Sequence, residues 1–154
     1  MGDRKLLILT TSFRRNEEIT EPIPAIERYD GVYFKILRKY LREGKLKDTD
    51  ILIVTEKHGL IWSNDNVSFY KVQSKMGFLS LDEKSIEKLR HENLQRIKEI
   101  LSQHRYSEIY VNVGKEYMKL IKGFEEFVSC KLTYAVGGLG KKASHMKNWI
   151  LSRA

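Results

Sequence analysis

Two stretches of this chain, Lys5-Leu-Leu-Ile-Leu-Thr-Thr11 and Asp50-Ile-Leu-Ile-Val-Thr55, are apolar without alternation. A strand with one wet face alternates polar and apolar residues, whereas an unbroken run of this length belongs to a strand covered on both faces. Such strands occur almost only in parallel sheets with helices on either side, so the two runs restrict the chain to the α/β class.

The remaining segments supply the matching parts. Asp30-Gly31 opens a segment in which Tyr33, Ile36, Leu37, Tyr40 and Leu41 recur at helical spacing, and Gly44 closes it. Ser80-Leu-Asp-Glu83 has the form of a capping box. It precedes a long helix with Ile86, Leu89, Leu94, Ile97 and Leu101 as its apolar stripe. Lys115 to Phe127 reads as a further helix anchored by Met118, Leu120, Ile121, Phe124 and Phe127, and Ala143 to Leu151 as the last. Val67 to Val72, Glu108 to Val113 and Lys131 to Val136 read as strands, while Ser12 to Pro24 is a polar, proline-containing loop. Strands alternating with helices predict a three-layer α/β/α single domain, residues 1–154, with a mainly parallel sheet.

With 154 residues, 42% of them hydrophobic and 31% charged, the chain can bury a real core. No apolar run is long enough to span a bilayer and no apolar leader precedes a cleavage site, so a cytoplasmic protein with no membrane partner is expected. The one cysteine, Cys130, cannot form an internal disulfide, which suits a reducing compartment. At a strand entry it reads as a small buried hydrophobe rather than a nucleophile.

The net charge is +8, concentrated at Arg4-Lys5, Arg14-Arg15, Arg38-Lys39 with Arg42, and Lys141-Lys142 with Lys147. A basic domain gathers anions and favours an anionic ligand, a nucleotide or a nucleic acid as partner. The plainer alternative is a solvated surface rich in lysine and glutamate.

In open parallel sheets ligands sit beyond the carboxyl ends of the strands. Four loops therefore matter: Thr11 to Arg15, Glu56 to Gly59, Gly114 to Tyr117, and Gly137 to Lys142. Thr11 and Ser12 offer hydroxyls, and Arg14 and Arg15 offer paired donors in a fixed fork, a cradle for phosphate or carboxylate. Equally, the hydroxyls can serve the loop backbone while the arginines face water. His58 titrates near neutrality and Lys57 is a mobile cation, so either can act as a general acid or base. A packed His58 bonded to a loop carbonyl is the structural alternative, and Gly59 suits a turn with positive φ. Tyr117 can stack on a base or anchor its own helix.

The run Gly137-Gly-Leu-Gly-Lys-Lys142 stands between a strand and a helix. Gly138 and Gly140 would let backbone N–H groups approach an anion, and Lys141 and Lys142 would neutralise it. The run is neither a Walker loop nor a dinucleotide fingerprint, which argues against a nucleotide triphosphatase. His145, on the same helix, has no second ligand at a metal-binding interval, so no metal site and no cofactor are expected. No serine or cysteine nucleophile lies beside a histidine in a recognisable elbow.

These loop residues also carry a resemblance. Pro24-Ala25 with Tyr29, Gly31 and Phe34 resembles the Pro-Ala…Tyr-x-Gly-x-x-Phe stretch of a prokaryotic and viral domain family of uncharacterised function. Thr55-Glu-Lys-His-Gly-Leu60 is similar to that family's Ser-Ala-Lys-Tyr-Gly-Leu, and Phe69-Tyr70-Lys71 stands where it has Pro-Tyr-Asp. Gly114 with Tyr117, and Gly138-Leu139-Gly140, are similar to its later Gly-x-x-Tyr and glycine-rich turns. More distantly, the layout resembles the central domain of archaeosine synthase, which modifies a deazaguanine base in transfer RNA. That resemblance implies a role in base modification or nucleotide handling. Where the four loops converge, Tyr70 and Tyr117 would stack on or orient the base. Thr11-Ser12 replaces the family's Cys-Ser, and Lys71 replaces its aspartate. If those residues do chemistry in relatives, this chain only binds.

The expected function is therefore binding of a nucleotide, modified base or nucleic acid at the strand ends, with His58 or Lys57 as candidates for catalysis. The competing expectation is a non-catalytic basic module that binds DNA or a protein.

Overall fold

The computed structural model describes residues 4–12, 15–70, 79 and 81–152. In chain order its strands and helices are β1 (Arg4–Thr10), β2 (Ile23–Pro24), α1 (Ala25–Arg28), α2 (Val32–Arg42), β3 (Thr49–Thr55), β4 (Gly59–Trp62) and β5 (Asn66–Val67). There follow α3 (Glu83–Gln103), β6 (Tyr106–Asn112), two 3-10 helices (Tyr117–Leu120 and Phe124–Phe127), β7 (Lys131–Tyr134) and α4 (Leu139–Leu151).

The two apolar runs are neighbours in the sheet. β1 pairs in parallel with β3, Leu7 opposite Ile51 and Leu9 opposite Ile53, and on its other side in parallel with β6. The full order is β4-β3-β1-β6-β7, with β7 parallel to β6 and only β4 antiparallel. Alternation sends Leu7, Leu9, Ile51, Ile53 and Tyr110 to a core roofed by α1, α2 and α4. Leu6, Ile8, Leu52, Val54, Ile109 and Val111 face the other way, towards α3 and the 3-10 helices. Both faces of the central strands are thus dry, each buried Leu or Ile contributing about 1.5–3 kcal/mol, and the expected three-layer α/β/α arrangement is present. No helix among the described residues is long and apolar enough to cross a membrane.

The polar loop before α1 owes its course to one side chain. Arg28 is fully buried, and its guanidinium donates to the carbonyls of Val67, Asn16, Ile19 and Glu21 at 2.6–3.0 Å. Arg38 is also held internally, donating to the Ile26 and Tyr29 carbonyls and to Asp30. Part of the basic charge is therefore structural.

Four expectations are corrected. Lys115 to Phe127 does not form one helix: Gly123, at φ 97°, interrupts the path, leaving two short 3-10 turns that set Leu120 and Phe124 into the core. The strand expected over Val67 to Val72 is confined to Asn66–Val67, paired with Ile23–Pro24, while Lys71 and Val72 lie outside the described residues. The cap of the long helix is Asp82, which accepts from the Ser85 N–H at 2.8 Å; Ser80 lies outside the described residues. Finally, α4 begins at Leu139, so Gly140, Lys141 and Lys142 sit in its first turn instead of in a preceding loop.

Candidate functional site

Because β1, β3, β6 and β7 run in parallel, their carboxyl ends share one rim. The chain leaves β1 towards β3 on one side and crosses over α3 to β6 on the other. The ends of β1 and β6 are therefore the switch point at which such sheets hold ligands. All four loops singled out in the sequence depart from this rim, although Arg14 lies outside the described residues.

At the β1–β3 end the side chains close on one another. Arg15 is buried, its Nη2 donating to Glu56 Oε1 at 2.8 Å and its Cζ lying 4.2 Å from the centre of the Tyr70 ring and 5.3 Å from that of Tyr29. The Tyr29 and Tyr70 hydroxyls share a hydrogen bond of 2.7 Å. Burial pushes both phenols up, Tyr70 to about 12, so both hydroxyls stay protonated near neutrality. Lys57 Nζ stands 4.8 Å over the same Tyr70 ring, and the His58 ring meets its edge at 5.4 Å. Partial burial and the charge of Lys57 hold His58 below its ordinary value, so the imidazole is neutral at pH 7.

The sequence explains how this turn is held. Thr55 Oγ1 accepts from the His58 N–H at 2.7 Å. Gly59 has φ +69°, and a Cβ there would lie 2.7 Å from Asn93 Oδ1. Asn93, buried on α3, accepts from the Leu60 N–H and donates to the Leu120 carbonyl, each at 3.0 Å. Glycine is needed here for conformation and for space.

At the switch point Thr10 Oγ1 accepts from the Gly114 N–H at 3.0 Å, tying β1 to β6. Thr11 is buried and its N–H donates to the Val54 carbonyl at 3.1 Å. Ser12 Oγ accepts from the Asp30 N–H at 3.1 Å, and a Cβ at Gly31 would come 2.7 Å from Ser12 Cβ. Tyr117 is buried in the α3-side core and lies near enough to Tyr70 to affect its phenol.

The β6–β7 end is open by comparison. Gly137 takes φ +95° and the Lys141 side chain folds against it. Gly138 is the N-cap of α4 at φ −77°; no side chain caps the helix and no acidic residue occupies its first turn. Gly138, Gly140 and Lys141 are exposed, and Lys142 is half-buried. Beneath this turn lies a polar group that the sequence reading missed. Tyr110 and His145 Nδ1 are hydrogen-bonded at 2.7 Å, with rings 5.6 Å apart. Burial raises the Tyr33 phenol while a hydrogen bond from Asn112 lowers it, the balance being upward, and the Tyr33 hydroxyl lies 3.5 Å from the Leu139 carbonyl. His145 is thus half-buried and engaged.

Glu56 and Tyr29 were also missed as site residues, since a carboxylate among cations and a tyrosine near a proline carry no signal until their partners are known. Two shallow clefts stand out among the described residues. One, of about 280 Å³, runs from His58 along α3 past Leu89, Asn93, Arg96 and Glu99. The other, of about 360 Å³, lies at the opposite rim between His104, Tyr106, Val128, Ser129 and Cys130. No group of three metal-ligating residues is found among the described residues.

No protein-family model and no curated protein matches the chain. Among solved structures, the crystal structure of AF0587, an archaeal protein of unknown function, is similar with a TM-score of 0.54 and 13% identity. The match covers 96% of this chain and 44% of that one, so the chain spans less than half of its neighbour's length. At this identity the likeness is one of fold: a mixed α/β protein with a mostly parallel five-stranded sheet flanked by helices.

Proposed function

We propose that the chain binds a nucleotide, a modified base or a nucleic acid at the carboxyl rim of its sheet. The observation that carries this reading is the start of α4. Lys141 and Lys142 stand at the positive end of a helix that has no acidic residue in its first turn and no side-chain cap. Each such cation costs about 0.3–1 kcal/mol, an arrangement that an anion would relieve. The glycines support it. A Cβ at Gly114, Gly138 or Gly140 would meet nothing within 4 Å, and none of the three takes positive φ. Neither conformation nor packing among the described residues calls for glycine there, whereas close approach of a ligand to bare backbone would.

In this reading Lys141, Lys142 and Arg14 meet phosphate charge, and Gly138 and Gly140 give access to N–H groups. Tyr70 orients a base and the neutral His58 is the proton acceptor if the site is catalytic. The resemblance to base-modifying proteins gives the reading its context, transfer RNA or nucleobase modification. A second reading, docking of a protein, draws on Tyr134, Val136 and Leu139, which are 39%, 58% and 65% exposed beside the unpaired edge of β7.

Fluorescence anisotropy with a short single-stranded RNA, from 50 to 200 mM salt, separates the two. Affinity should fall steeply with salt, and the Lys141→Ala/Lys142→Ala variant should flatten the log–log slope by about 0.7 for each phosphate it no longer neutralises. Unchanged affinity and slope in that variant would remove α4 from the site.

A further inference from the structure

Arg15 and Glu56 are joined at one corner only. Arg15 Nη2 donates to Glu56 Oε1 at 2.8 Å, while Arg15 Nε and Glu56 Oε2 are both buried without a hydrogen-bond partner. The two side chains are 2% and 12% exposed. A buried guanidinium and carboxylate ordinarily pair side-on, using both corners, and an unsatisfied buried N–H or oxygen is rare in folded proteins. Here a donor on a cation and an acceptor on its partner anion are both unused. Above them lies a flat ring, that of Tyr70, stacked on the guanidinium at 4.2 Å.

Resting on the rim reading above, we propose that Arg15 and Glu56 read the cyclic-amide edge of a base, Arg15 Nε–H donating to its ring carbonyl and Glu56 Oε2 accepting from the adjacent ring N–H. A lactam carries its negative end on the oxygen and its positive end on the N–H, which opposes the dipole of the Arg15–Glu56 pair and satisfies both unused atoms together. Both hydrogen bonds lie in the guanidinium plane, so the base meets the pair edge-on while the Tyr70 ring stays over the guanidinium face. The Tyr29–Tyr70 hydroxyl bond of 2.7 Å helps to hold that ring in place. Lys57 and His58, both exposed, contact the same Tyr70 ring.

The test compares inosine 5′-monophosphate with its N1-methyl derivative by isothermal titration calorimetry. Methylation deletes the ring N–H and blocks the edge while leaving the phosphate, the sugar and the stacking face. The unmodified nucleotide should bind at least about tenfold more tightly, about 1.4 kcal/mol, and Glu56→Gln should abolish the preference. Equal binding of the two nucleotides, still weakened by Lys141→Ala/Lys142→Ala, would overturn this inference and leave the rim reading standing. Failure of both nucleotides to bind would overturn both readings. Should Glu56→Gln fail to fold, the wild-type comparison of the two nucleotides decides the matter.

Discussion

Where β1 and β3 end, Arg15 is buried against Glu56 beneath the Tyr70 ring; where β6 and β7 end, Lys141 and Lys142 stand on an uncapped helix start with no acid in its first turn. The two ends belong to one rim and both looked basic in the sequence. At the first, a carboxylate on the next strand's loop neutralises the cation and an aromatic ring seals it. At the second, the cations add to the positive end of the helix dipole. Basic residues at strand ends therefore separate into two kinds, those whose charge is met within the fold and those that leave net charge for a ligand. What decides between them is whether a neighbouring loop brings an acid within reach.

The largest effect that can break this distinction is expected at Arg15. Arg15→Ala leaves the Glu56 carboxylate buried without its cation and should cost about 3–5 kcal/mol, read by urea unfolding. Replacing both partners, Arg15→Met with Glu56→Leu, should recover most of that loss, because an apolar pair leaves no uncompensated charge. A double variant as unstable as the single one would mean that the pair acts through something other than its charge.

Smaller effects should separate the glycines. Gly137→Ala forces a Cβ to 2.5 Å from Lys141 Cβ at φ +95°, and should lower stability by about 1–3 kcal/mol. Gly140→Ala, in a helical turn with open space around it, should raise stability by about 0.5–1 kcal/mol while weakening nucleotide binding. Thermal unfolding and a binding titration on the same two variants check this. If Gly140→Ala left binding unchanged, its lack of a side chain would need another explanation.

The smallest effect concerns pH. His58 is held below its ordinary value, so the unfolded chain takes up this proton at a higher pH than the folded one. Stability should therefore fall as pH drops through about 6.5 towards the lowered value, with the unfolded state the better proton acceptor. His58→Gln should flatten stability between pH 5 and 7, measured by denaturant titration; an unchanged slope would assign the dependence to another group.

How much of this was legible depends on how far apart the partners lie. The runs at Leu6–Leu9 and Ile51–Val54 announce a parallel sheet because burial on both faces leaves its mark on consecutive residues. Gly59-Leu-Ile-Trp62 left too short a trace to be told from a loop, so the antiparallel strand β4 went unread. Met118, Leu120, Ile121, Phe124 and Phe127 carry a helical period, yet Gly123 cuts the segment, because tertiary packing outweighs local pattern. The rim loops could be found, since strand ends follow from strands. The fate of Arg15 could not, because Glu56 lies 41 residues away and nothing local records their meeting. The pairing of Tyr110 with His145, 35 residues apart, was hidden for the same reason.

The most direct measurement is an amide chemical-shift titration of the labelled protein with a nucleoside monophosphate. Saturable shifts are predicted at the N–H groups of Leu139 to Lys142 and at Gly114, weakened together by Lys141→Ala/Lys142→Ala. Shifts confined to the opposite rim, around His104, Tyr106 and Cys130, with the start of α4 unmoved, would contradict the account.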